Sequence, residues 1–128
     1  MHQNLDVFQY ATAMARHAGA RQALVAKNVA NADTPGYRAM AIKPFSEVAG
    51  TGDGLGLRRT RGAHLGAQNG ALIPPRAQPA LADVSPNGNS VVIEDQMLEA
   101  INISREHDRA LVIYRHAMTV LKTGLGRS

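Results

Sequence analysis

Five histidines, ten carboxylates and no cysteine are the groups with which this chain could hold a metal or move a proton. His2, His17, His64, His107 and His116 include no H-x-x-x-H pair, the spacing that sets two imidazoles on one helix face, and without thiolates no zinc set forms. His107 falls on an apolar helical stripe, where a packed histidine is the expected role. Glu94, Asp95 and Glu99 are the nearest approach to a carboxylate pair. They stand at the front of a helical segment, where acidic residues match the helix dipole, and they read as a solvated helix start. Gly50, Gly52, Gly54 and Gly56 fail the G-x-G-x-x-G pattern at Leu55 and Leu57, and no Gly-Lys-Ser/Thr follows. No G-x-S-x-G elbow occurs, and the sequon Asn102-Ile103-Ser104 lies mid-helix. The expectation is no catalytic residue, no metal site, no cofactor and no enzyme.

Charge suggests an alternative. The formal net charge is +4 and the pI about 10.0, a balance often met in proteins that bind nucleic acid. The excess sits in residues 38–88, six basic against three acidic, centred on Arg58, Arg59 and Arg61. No reading helix or aromatic platform accompanies those arginines. A small basic nucleic-acid-binding protein is therefore the second reading. No apolar run approaches the ~20 residues of a membrane span. The start, MHQNLDVFQY, has neither the basic nor the apolar region of a secretory signal.

The elements that would position any functional residue are mainly helical. Residues 3–30 lack proline, contain one glycine and are rich in alanine, which predicts a helix. Its apolar seam steps by three and four through Phe8, Ala11, Ala15, Ala18, Gln22, Val25 and Val29, with Leu5, Met14 and Ala26 beside it. So narrow a stripe suits coiled-coil pairing rather than a broad globular face. Gln22 is either a wet-edge residue, the reading taken, or a polar device that sets register. Residues 91–123 predict a second helix with the seam Ile93, Met97, Ala100, Ser104, His107, Leu111, Tyr114, Met118 and Leu121, flanked by Ile101 and Val112. Gly124 and Gly126 are expected to end it.

Between them, residues 38–89 hold five of the six prolines and the stretch GTGDGLGLRRTRG. This part reads as an irregular, flexible insert with a weak hairpin around Ala39–Val48 and Leu65–Pro74. The domain plan is thus residues 1–37 as helix and turn, 38–89 as insert and 90–128 as closing helix. The expected fold is mainly α, with two long terminal helices paired antiparallel in coiled-coil fashion.

The most closely specified stretch is NVANADTPGYR, residues 28–38. Asn31 is suited to leave the helix through a left-handed conformation, and Asp33 or Thr34 to bond the freed backbone. Pro35-Gly36 fits the centre of a type II turn from Thr34 to Tyr37, with Tyr37 folding back onto the helix. These residues describe a rigid corner.

The stretch RQALVAKNVANADTPGYRA resembles the N-terminal signature of the flagellar rod and hook family. Asn28, Val29, Ala30, Asn31, Asp33, Thr34, Pro35, Gly36 and Tyr37 match it position by position. GNSVVIEDQMLEA and LVIYRHAMTVLKTGL resemble the start and body of the family's closing helix, while the middle shows no likeness. Val92 replaces an acidic helix-start residue, so Ser90 is expected to supply the cap, and Met118 stands where a Phe is common. The likeness is nearest to the proximal-rod members, and the uninterrupted ADTPGYRA favours one such type over the neighbouring FlgC-like type.

The resemblance implies a structural part of the proximal rod of the bacterial flagellar basal body, assembling helically into the periplasmic shaft that transmits torque. It implies export through the flagellar type III apparatus without a cleaved signal peptide. The implied partners are further copies, rod proteins of the FlgC, FlgF and FlgG types, an adaptor of the FliE type and the membrane-ring and export-gate region. It implies no nucleic acid and no small-molecule substrate. The helix faces expected to carry assembly are Leu5, Phe8, Ala15, Ala18, Gln22, Val25 and Val29 on the first helix, and Ile93, Met97, Ile101, Leu111, Tyr114, Met118 and Leu121 on the second.

Overall fold

A computed structural model describes residues 2–49 and 75–126, with side chains from residue 5. The elements in chain order are helix α1 (His2–Ala30), strand β1 (Met40–Ala41), short helix α2 (Phe45–Ala49), strand β2 (Gln78–Pro79) and helix α3 (Ile93–Leu125). The two long helices pack against each other in antiparallel fashion, as their cross-helix bonds show: Asn28 reaches Gln96 at one end, and Phe8 meets Tyr114 towards the other. At about 1.5 Å per residue, the 29 residues of α1 make a rod of roughly 43 Å.

The seam between the helices differs from the apolar stripes. On α1 the buried positions step through Ala11, Met14, Ala18, Arg21, Val25 and Asn28. On α3 the matching buried or half-buried row is Gln96, Glu99, Ile103, Glu106, Ala110, Ile113 and Ala117. Both rows alternate steps of three and four, the spacing of a two-helix seam. Ala11, Ala18 and Val25 belong to the expected stripe, but Met14, Arg21 and Asn28 take the places expected of Ala15, Gln22 and Val29. Gln22, Val29 and Leu5 are exposed, as is Ala26. The displacement has a physical cause. Arg21 and Asn28 are polar, so apolar periodicity passes them over, yet each finds a polar partner across the seam. Arg21 pairs with Glu99 and Glu106, and Asn28 with Gln96.

Among the described residues the apolar core is thin and lies in two clusters. Ala13, Met14, Ala110 and Phe45 form one, with Tyr10 and Ile113 packed against it. Ala18, Val25 and Ile103 form the other. Phe45 is contributed by α2, whose ring sits edge-on to Tyr10 at 5.2 Å and to His17 at 5.5 Å. Residues 38–49 therefore lie on the helix pair rather than apart from it, with Ala39, Ile42 and Phe45 buried, while the mostly exposed stretch 75–87 is held through β1. The hairpin pairs Met40 with Pro79 and Ala41 with Gln78. Its first strand lies within the expected range; the expected partner, residues 65–74, is outside the described residues, as is the Arg58–Arg61 cluster. Gly124 continues α3, and Gly126 alone caps it, its N–H donating to Lys122 O at 2.8 Å. His107 and Ser104 face solvent. Among the described residues, no helix is long and apolar enough to cross a membrane.

Candidate functional site: a locked corner and an exposed helix face

The corner forms where α1 ends, the chain turns, and the loop before α3 returns. The helix closes by tightening: Ala32 N–H donates to Val29 O at 3.1 Å, not to Lys27 O as a left-handed Schellman exit requires. Asn31 bonds Lys27 O through its side chain at 2.8 Å. Thr34 Oγ1 bonds Asn31 Oδ1 at 3.2 Å rather than the backbone. The type II turn follows the residues expected of it, with Tyr37 N–H on Thr34 O at 3.2 Å and Gly36 at φ 75°.

Asn28 is the hub. It is 1% exposed and makes four hydrogen bonds, the full capacity of its amide. Its Nδ2 donates to Met40 O at 2.7 Å and to Gln96 Oε1 at 2.9 Å. Its Oδ1 accepts from Tyr37 O–H at 3.1 Å and Met40 N–H at 3.2 Å. One side chain thus ties α1 to the turn, to β1 and to α3.

Asn89 is a second hub that the sequence reading passed over. It is 3% exposed, and the two N–H groups of its Nδ2 are shared among the carbonyls of Asn31, Ala32 and Thr34, at 2.9, 2.9 and 2.7 Å. These carbonyls belong to the turn that follows the helix, where Asn31 O also accepts from Thr34 N–H and Thr34 O from Tyr37 N–H, so Asn89 ties the loop before α3 to that turn. Ser90 lies beside it and does not cap α3. Its Oγ accepts from Ala39 N–H at 2.8 Å, while the N-cap residue Val92 makes no side-chain cap bond. Gly36 N–H donates to Asn87 O at 3.0 Å, and Ser90 N–H to Tyr37 O at 3.0 Å. Gly88, at φ 85°, lies so near that a Cβ on it would meet Gly36 Cα at 3.1 Å. The signal available in the sequence was the cluster Asn87-Gly88-Asn89-Ser90, which reads as a turn but does not announce its partner.

The assembly residues separate into three groups. Ala18 and Val25 are buried in the internal seam. Phe8, Ala15, Leu111 and Leu121 are half-buried at its edges, with Phe8 edge-on to Tyr114 at 5.1 Å. Leu5, Gln22, Val29, Ile93, Met97, Ile101, Tyr114 and Met118 are exposed, Met97 to 61%, as are Leu98 and Val112 outside the expected set. The α3 stripe therefore meets α1 only in part, through Ala100 and through Tyr114 on Phe8, and leaves Ile93, Met97 and Ile101 open, exposed apolar residues of the type that mark an interaction site. Asp33, Thr34, Pro35 and Gly36 are likewise exposed, on the outside of the corner.

Comparison with known proteins fixes the family. The profile described as "Flagella basal body rod protein" matches residues 11–38, α1 and the turn. Flagellar basal body rod protein FlgB of Agrobacterium fabrum is 33% identical over 125 residues, covering 93% of both chains. The chain belongs to the flagellar basal-body rod protein family. Its FlgB-type relative in Buchnera aphidicola is 28% identical over 101 residues, covering 75% of this chain and 76% of that one. This rod protein is thus a structural component of the flagellar basal body. Among its described residues no group of three or more His, Cys, Asp or Glu could hold a metal ion.

Proposed function

We propose that this rod protein is a non-catalytic subunit of the proximal rod, built to repeat one fixed geometry in a helical, torque-bearing assembly. The carrying observation is the pairing of a locked corner with an open apolar face on the same helix pair. Asn28 and Asn89 hold the helices and the turn in one relation, while Ile93, Met97 and Ile101 stay uncovered in the single chain. In a repeated contact, an angular error at the corner would recur in every subunit. The domain plan follows: residues 1–37 and 90–128 form the assembling core, and 38–89 the insert. The further partners are rod proteins of the FlgC, FlgF and FlgG types, an adaptor of the FliE type and the membrane-ring and export-gate region. The site of action is the periplasmic shaft, reached through the flagellar type III apparatus.

The test is Met97→Lys and Ile101→Asp in the full chain, expressed in cells lacking the native copy. Export should continue while rod completion and swimming are lost. Normal swimming with either variant would remove α3's open face from the account.

A further inference from the structure

Independently of the rod reading, His17 stands out. It is 6% exposed, and neither ring nitrogen has a hydrogen-bond partner. A buried imidazole normally finds at least one, so an unpartnered one calls for a physical reason. His17 lies on α1 one turn before Arg21, whose Nε is also buried and unpartnered, and its ring meets Phe45 of α2 at 65°. The charges acting on it are Arg21 on its own helix and Glu106 on α3; α2 meets it with the Phe45 ring. Both oxygens of Glu106 are already engaged. Oε2 accepts from Arg21 at 2.5 Å, and Oε1 from the Phe45 N–H at 3.0 Å.

We propose that His17 makes the seating of α2 acid-sensitive: protonation of its imidazole unseats Phe45 and the start of α2 from the helix pair while the Asn28–Asn89 corner stays closed. The imidazolium has two N–H donors and a charge, and in the closed arrangement neither nitrogen has an acceptor. Glu106 is the carboxylate that acts on it, and turning Oε1 to His17 takes that oxygen from Phe45 N–H. With that bond gone, α2 loses its hydrogen bond to α3 and relies on side-chain packing, chiefly Phe45 on Ala13, Met14 and Ala110, so its seating weakens, since five residues cannot hold a helix alone. The corner is held by Asn28, Asn89 and Ser90, none of which titrates. Burial moves His17 below its ordinary value of 6.5, and Arg21 adds to this while Glu106 opposes it. The fold thus disfavours the charged ring. The stabilisation is complete above pH 6.5 and is lost as pH falls through the lowered folded value.

The experiment is hydrogen exchange on the full chain at about pH 7.5 and about pH 5.5, corrected for intrinsic rates, with wild type and His17→Phe. Amides 45–49 of the wild type should lose protection severalfold in acid, while amides around Asn28 hold. His17→Phe should show no such loss. An equal acid loss in His17→Phe, or none in the wild type, overturns the proposal. An NMR titration of the wild type gives the same answer without a variant. Phe45 ring signals that follow the His17 titration support the latch, and signals unmoved through it refute it.

Discussion

Replacing Asn28 with Ala removes one side chain and four hydrogen bonds at once. Each such bond contributes roughly 0.5–1.5 kcal/mol net, and groups left buried without a partner cost more. Tyr37, Met40 and Gln96 are half-buried, so water can reach part of what is freed, which favours the lower end. Alanine's better helix propensity returns about 0.6 kcal/mol. The expected net loss is about 2–3 kcal/mol, a large share of a domain stability on the order of 5–15 kcal/mol. Urea unfolding followed by circular dichroism measures it, with a lower midpoint and an unchanged slope. Thr34→Ala is the control, because its bond to Asn31 is exposed and its loss should cost under about 1 kcal/mol. In a double-mutant cycle, Asn28→Ala with Tyr37→Phe should couple by about 1 kcal/mol. Equal effects of Asn28→Ala and Thr34→Ala, or no coupling, would refute Asn28 as the hub.

Two glycines should behave differently under the same assay. Gly19→Ala, helical and with open space around it, should stabilise by about 0.5–1 kcal/mol. Gly88→Ala, left-handed and facing Gly36 backbone at 3.1 Å, should destabilise by more than the roughly 1–2 kcal/mol of its φ alone. Phe45→Ala should cost about 3–5 kcal/mol and free α2, read by hydrogen exchange. Arg21→Met leaves Glu106 without its buried counter-charge and should destabilise by about 3 kcal/mol, less whatever the half-exposed Glu99 recovers from water.

Helix existence, the antiparallel pairing and the Pro35-Gly36 turn were legible because each rests on local chemistry: alanine content, apolar spacing and the demand for a positive φ. The face of each helix was less legible. Apolar spacing finds the widest greasy stripe, and on α3 that stripe only skirts the seam, with Ile93, Met97 and Ile101 exposed. The inner seam uses Arg21, Asn28, Gln96, Glu99 and Glu106, whose burial depends on partners 68 to 85 residues away. Asn89 and Ser90 were hidden for the same reason, because their bonds run to residues 51 to 58 positions earlier. Phe45, one of only two phenylalanines, lay in a stretch whose composition reads as irregular.

The most direct test of the central claim is an electron-microscopy map of isolated basal bodies at side-chain resolution. The rod should contain the α1–α3 pair with its corner closed at Asn28 and Asn89, and Ile93, Met97 and Ile101 covered by a neighbouring subunit. A rod subunit in which that face meets solvent, or in which the corner is open, would contradict it.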